Sequence, residues 1–197
     1  MRTSKPISTI SYNSVPFLQS KMDEFVRNHV ISAWFFVKHR AEKDERKDHI
    51  HVYAVPNKMV DTMALQDALR ELDPENPQKA LGCIDFCSSN PDDASLYFAH
   101  NEEYLAWKGE TREYHYGFDE FYYSDADWFE DVVFHALHSS DFAQKSKVIR
   151  ALRDGMSPAD IVMSGIAPLQ MATALRSLTL MAREDGEVYR NGRHGHD

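Results

Sequence analysis

The order of the elements predicted along the chain indicates an α+β fold, in which an antiparallel sheet is followed by a small helical module. Three observations support this prediction. Four short segments are strongly apolar, two of the intervals between them have helical spacing, and the signals after residue 124 are helical. With 197 residues, the chain is long enough for one core and a second small module.

The first half of the chain predicts the order β-α-β-β-α-β. The predicted strands are 7–12, 30–37, 49–55 and 81–87, and the predicted helices are 15–29, 61–72 and a further one that starts at Asp92. The run 30–37 is apolar throughout, which is typical of a strand buried on both sides. The charged loop 40–47 joins this strand to the next and predicts a hairpin. This order is that of the ferredoxin-like split βαβ unit, an antiparallel sheet with helices on one face.

Helical signals define a second domain, predicted to span 124–197 after a first domain of 1–123. Ser124, Asp125 and Asp127 are typical of a helix start, and this helix is expected to end near His138. Three further helical stretches follow.

Two interpretations of this second domain stay open. One is a helix-turn-helix over 147–180, in which Arg150, Arg153 and Arg176 contact phosphates. The other is a small bundle for self-association. The segment near 186–197, which contains His194 and His196, predicts a disordered tail.

Composition restricts the possible classes of protein. The formal net charge of −9 argues against tight nonspecific binding of nucleic acid. No apolar run approaches the roughly 18 residues of a bilayer span, and no secretory signal is present, so no membrane role is expected. Cys83 and Cys87 lie on one predicted strand, too far apart to pair, which favours reduced thiols and a cytoplasmic protein.

Two histidines, His49 and His51, are the most informative feature of the chain. Side chains two residues apart on a strand point to the same face. His39 and Glu42 stand just upstream, so three imidazoles and a carboxylate could gather around a divalent metal ion. The alternative is a pair of polar residues on an exposed strand face.

A metal site that binds a phosphodiester can cleave it only with an attacking group, which could be water or a tyrosine. Tyr97 lies on the helix that follows the fourth strand, with His100 one turn further on. Nine tyrosines in the chain make this observation weak when it stands alone.

The motifs together resemble those of the single-tyrosine rolling-circle replication initiators of small plasmids, in the HUH endonuclease superfamily. The matching pieces, in order, are His39-x-x-Glu42, His49-Ile50-His51-Val52, Tyr97-Phe98-Ala99-His100, Lys108-Gly109 and the block 114–121. They cover roughly residues 30–125. The family usually has Asp at the position of Glu42, and the loop before His49 is shorter and less basic than in the family.

The resemblance implies a function for each motif. His39, Glu42, His49 and His51 would hold Mn²⁺ or Mg²⁺. Tyr97 would nick one DNA strand at the origin and become linked to its 5′ phosphate, and His100 would position the tyrosine or the substrate, or cap the helix. The expected partners are single-stranded or hairpin origin DNA, the host helicase and polymerase, and further copies of the chain.

Three alternatives remain. Conjugative relaxases share the metal motif but carry the nucleophile near the N-terminus, where Tyr12 follows a strand. Single-tyrosine transposases belong to the same superfamily. The excess of acidic over basic residues is also compatible with a noncatalytic nucleic-acid-binding regulator.

Overall fold

The computed structural model describes residues 2–41, 48–62, 64–65, 84–86, 90–138, 140–173 and 175. Within these residues the strands are β1 (Arg2–Thr3), β2 (Ile7–Ser11), β3 (Ile31–His39), β4 (His49–Pro56), β5 (Val60–Asp61), β6 (Ile84–Phe86) and β7 (Tyr122–Tyr123). The helices are α1 (Val15–Arg27), α2 (Pro91–Phe98), α3 (Glu102–Lys108), α4 (Ala126–His138), α5 (Asp141–Arg153) and α6 (Pro158–Met163), with a 3₁₀ turn at Phe118–Glu120. The predicted α+β class is confirmed.

Several predicted features lie outside the described residues. They are Glu42, most of the helix expected over 61–72, Cys83 and Cys87, Arg176 and the tail 186–197.

The main sheet has five strands in the order β6-β2-β4-β3-β7, and every neighbouring pair is antiparallel. When β2, β3, β4 and β6 are numbered 1 to 4 in chain order, they lie side by side in the sheet in the order 4-1-3-2. The expected pairing of β3 with β4 is therefore confirmed. The two-residue strand β7 extends the sheet beside β3 and was not predicted from the sequence. A separate small sheet pairs β1 with β5.

Each face of the main sheet carries its own apolar core. On one face, Leu18, Met22 and Phe25 of α1 pack against Trp34 and Phe36 of β3. On the other face, Phe35 and Val37 of β3 and Tyr53 of β4 join residues of α2 and α4, among them Phe98 and Phe129. The two stacks Trp34–Phe36 and Phe35–Tyr53, with ring centroids 5.0 and 4.9 Å apart, mark the two sides.

The prediction of helices on one face only was therefore wrong. The reason lies in β3, where the residues from Ala33 to Val37 are all buried. A strand that is apolar on both sides must be covered on both sides. The helix α1 covers one side, and α2 and α4 cover the other.

Contacts divide the chain into two compact units, Met1–Ala136 and Leu137–Asp197. The domain boundary predicted from the sequence, after residue 123, lies just before α4 and therefore earlier than this division. Most of this helix belongs to the first unit, because Phe129 and Val132 are buried in the core beside Phe35.

The second unit has a small core of its own, formed by Val148, Ala151, Leu152, Ile161, Ala172 and Leu175. Ser157 begins α6 with a capping box, in which Ser157 and Asp160 each bond the other's backbone N–H. Across the part of the chain that the structure describes, none of the helices has both the length and the apolarity that crossing a bilayer requires.

Candidate metal centre

The register of β3 and β4 brings three histidines together on one face of the sheet. His39 stands directly opposite His49, and Val37 stands opposite His51. His49 and His51 share a face because strand side chains alternate with period two. One ligand nitrogen from each of His39, His49 and His51 lies within 4.8 Å of the other two.

Burial keeps two of these imidazoles neutral. His39 is only 2% exposed, and burial, followed by the nearby His100, lowers its pKa from 6.5 to about 3. Burial, followed by the nearby His39, lowers the pKa of His51 to about 2. A neutral imidazole offers a nitrogen lone pair, which is the form that binds metal.

A hydrogen bond determines which nitrogen of His39 is available. Its Nε2 lies 2.7 Å from the carbonyl oxygen of Phe98. Because a carbonyl can only accept, Nε2 carries the hydrogen, and in the neutral ring the lone pair is then on Nδ1. A backbone carbonyl of this kind is the usual outer partner of a metal-bound histidine, since it fixes the tautomer and the ring orientation.

The nitrogens of His49 and His51 are spaced as two ligands of a single transition-metal ion would be. The Nε2 atoms of His49 and His51 are 3.1 Å apart. Two nitrogens bound at about 2.0–2.1 Å stand about 2.9 Å apart in octahedral and about 3.4 Å apart in tetrahedral geometry. The three ligand nitrogens all lie within 4.8 Å of one another, so at most a small inward shift of the rings brings them within the roughly 4.2 Å that two ligands of one ion can span. The cluster could therefore hold a metal ion.

Asp48 stabilises the strands immediately beside the cluster. Its Oδ1 accepts the backbone N–H of Ala41 at 2.9 Å, and its Oδ2 lies 3.6 Å from Nζ of Lys38. These contacts hold the end of β3 against the start of β4, where His39 and His49 face each other. Apart from its position directly before His49, nothing in the sequence marks Asp48 as a residue that supports the cluster.

Tyr97 lies beside the cluster, on the last turn of α2. This helix begins at Asn90, whose side chain accepts the backbone N–H of Asp93 at 2.8 Å, and continues through Pro91. The Tyr97 ring is half-buried and stands nearly perpendicular to the His51 ring, with centroids 6.5 Å apart.

His100 follows α2 in a left-handed backbone conformation, with φ of 49°. Its Nδ1 donates to the carbonyl of Tyr114 at 2.7 Å, which fixes the ring against the segment after α3. Its ring centroid lies 4.3 Å from that of His39. A non-glycine residue with positive φ is uncommon, and such conformations often occur at functional sites.

Tyr12 also lies beside the cluster. Ile10 of β2 pairs with His51, so Tyr12, two residues further along, extends the same row beside His49. The Tyr12 and His49 ring centroids are 6.2 Å apart. Both tyrosines considered from the sequence therefore lie next to a histidine of the cluster.

Two further residues of this region come from the segment after α3. Tyr116 stacks flat on His39, with ring centroids 4.4 Å apart and planes 3° from parallel. The positive charge of Arg112 contributes to the lowered pKa of both His39 and His51, so this cation lies close enough to act on the site. Arg112 belongs to none of the motifs, and the block 114–121, which contains Tyr116, does not by itself indicate a contact with a histidine far away in sequence.

No model of a known protein family matches the chain, and no curated protein matches it.

Proposed function

We propose that the chain is a metal-dependent DNA nicking and joining enzyme that initiates rolling-circle replication, and that it is a single-tyrosine member of the HUH superfamily. The observation that carries the proposal is the position of Tyr97, whose ring lies 6.5 Å from His51 in a cluster of three histidines. The ordered motifs from His39 to the block 114–121 add to it.

The sheet topology supports the same proposal. The spatial order 4-1-3-2 of β2, β3, β4 and β6, all antiparallel, is what a ferredoxin-like split βαβ unit requires. In such a sheet the two central strands offer the most rigid positions. Here these strands are β2 and β4, and β4 carries His49 and His51.

The proposed reaction is a transesterification. The Tyr97 hydroxyl gives up its proton to solvent, and its oxygen attacks the phosphorus in line with the departing 3′ oxygen. The Tyr97 O–P bond forms as the bond from phosphorus to that oxygen breaks, and the departing oxygen takes up a proton from solvent. This leaves a 5′ phosphotyrosine and a free 3′-OH. A later 3′-OH reverses the step and rejoins the strand.

The three histidines supply the metal chemistry. A divalent ion held there would polarise a nonbridging phosphate oxygen and orient the phosphorus. Three imidazoles suit Mn²⁺ or a later transition metal better than Mg²⁺, which prefers oxygen ligands. Glu42 would add an oxygen ligand, and His100, anchored through Nδ1, would position the tyrosine or the phosphate.

The proposed partners follow from this chemistry. The substrate would be a single-stranded or hairpin origin, and the freed 3′-OH would be extended by a host polymerase behind a host helicase in the cytoplasm. The second unit would serve self-association or DNA contact.

A covalent trapping experiment tests the proposal. Purified protein, Mn²⁺ and a labelled pool of single-stranded hairpins with randomised loops are mixed, and SDS-resistant adducts are mapped by mass spectrometry. We expect the adduct on Tyr97 and its loss in Tyr97→Phe, while the matched variant Tyr12→Phe keeps it.

The opposite pattern would favour a relaxase-like enzyme. Tyr12 lies 6.2 Å from His49, so loss of the adduct in Tyr12→Phe and its retention in Tyr97→Phe would assign the nucleophile to Tyr12. A single-tyrosine transposase would give the Tyr97 adduct but would also join it to a second, unrelated strand end.

Calorimetry with Mn²⁺ separates the enzyme from a noncatalytic regulator. We expect one ion to bind and the heat to disappear when His49→Ala and His51→Ala are combined. The matched control is His138→Ala, which removes an exposed imidazole of the second unit. Absence of binding, or binding unchanged in the double variant, would favour the regulator.

A further inference from the structure

Tyr116 contacts the metal-site residue His39 through its ring. The two rings are 3° from parallel with centroids 4.4 Å apart, and Tyr116 is only 8% exposed. A second, T-shaped contact joins Tyr116 to His100 at 5.3 Å. The Tyr116 ring therefore occupies one face of the His39 ring and keeps solvent from it.

Tyr116 also contacts the backbone beside His39. Its hydroxyl oxygen accepts the backbone N–H of Arg40 at 2.7 Å. Burial raises the pKa of this hydroxyl above 10.0, so it stays a neutral phenol in the physiological range. The backbone N–H of Tyr116 donates in turn to the carbonyl of Ala99 at 2.9 Å, at the end of the helix that carries Tyr97.

Together these contacts leave His39 little freedom. Stacking on Tyr116 sets the plane of the imidazole, and the bond from Nε2 to the Phe98 carbonyl sets its rotation within that plane. A ring fixed in both respects presents Nδ1 in one direction. Preorganisation of a ligand in this way raises metal affinity, because less freedom is lost on binding.

We propose that Tyr116 is a positioning residue of the metal centre, which holds His39 so that Nδ1 faces the His49–His51 pair. The ring supplies most of this effect, and the hydroxyl adds to it by anchoring Arg40. The inference rests on the metal centre of the proposed function but not on DNA nicking. It can therefore fail while the covalent adduct on Tyr97 still forms.

The test is a titration of the full chain with Co²⁺, whose visible absorption reports ligand geometry. We expect Tyr116→Leu to weaken Co²⁺ binding about 10- to 100-fold, as loss of an outer partner of a ligand does, and to change the shape of the absorption bands. Tyr116→Phe keeps the stacked ring and loses only the hydrogen bond to Arg40. We expect it to bind roughly three- to tenfold more weakly with the band shape of the wild type.

Tyr122→Leu is the matched control. The Tyr122 ring also stacks on an aromatic neighbour, Phe36, with centroids 5.0 Å apart, but on the sheet face that lacks the histidines. We expect it to bind Co²⁺ with unchanged affinity and spectrum. If Tyr116→Leu leaves affinity and spectrum unchanged, or Tyr122→Leu alters them equally, the proposal is wrong. If Tyr116→Leu does not fold, wild-type affinity in Tyr116→Phe overturns it.

Discussion

His39 is buried and His51 is half-buried, and each imidazole offers a nitrogen lone pair to a metal ion only while it stays neutral. Burial lowers the pKa of His39 to about 3 and that of His51 to about 2, well below the ordinary value of 6.5. In the unfolded chain both rings regain ordinary values. Below pH 6.5 the unfolded state therefore binds more protons than the folded state, and acid favours unfolding.

The free energy of unfolding in the presence of a chelator should therefore be constant above about pH 7 and fall as the pH drops from 6.5 towards 3. Each of the two histidines contributes a slope of up to about 1.4 kcal/mol per pH unit. Urea unfolding at a series of pH values measures this dependence of the free energy of unfolding on pH. Glutamine cannot titrate, so His51→Gln should lose about half of the slope that the two histidines add to the free energy of unfolding below pH 6.5. A slope equal to that of the wild type would contradict the lowered pKa of His51.

The choice of residues for the site was partly accessible from the sequence. The spacing of His49 and His51 on a strand predicts a shared face, and His39 stands just upstream of them. The resemblance then favoured Tyr97 among the nine tyrosines. Tyr116 was not accessible, because its contact with His39 joins segments far apart in the chain, and no periodicity records such a contact.

Among the secondary structure elements, α4 has the clearest consequence for stability. It was expected to open a separate domain, yet Phe129 is 3% exposed and packs against Phe35 and Phe121, each with ring centroids 5.3 Å away. The same helix leaves Phe134 62% exposed. One helix thus offers a buried and an exposed phenylalanine for direct comparison.

We expect Phe129→Ala to lower the free energy of unfolding by about 3–5 kcal/mol, because it removes a fully packed ring from the core of the first unit. Phe134→Ala, the matched control, should change it by less than about 0.5 kcal/mol. Urea denaturation followed by circular dichroism measures both. Equal effects of the two substitutions would contradict the packing of α4 on the first unit.

At the scale of the whole molecule, the net charge of −9 opposes nucleic acid binding in general. The proposed nicking of DNA would therefore rely on a few cations close to the site. Arg112 is one of them, since its charge acts on both His39 and His51.

Binding of single-stranded DNA should therefore depend only weakly on salt. We expect the logarithm of the binding constant to fall with the logarithm of salt concentration with a slope of about −1.4 to −2.1, which corresponds to two or three phosphate contacts. Arg112→Gln should reduce the slope by about 0.7, while Arg27→Gln, an exposed cation at the end of α1, should leave it unchanged. Fluorescence anisotropy measures these values, and a slope steeper than about −4 would contradict a site built from few cations.

Periodicity along the chain was enough to predict the α+β class, the approximate bounds of β2, α1, β3 and β4, and the shared face of His49 and His51. Three features became visible only in the folded chain: helices cover both faces of the sheet, most of α4 belongs to the first unit, and Tyr12, Tyr97 and Tyr116 all contact histidines of the cluster. Each of these features depends on contacts between side chains that are distant in sequence. Periodicity cannot predict such contacts, because it reports only the spacing of residues that are near one another in the chain.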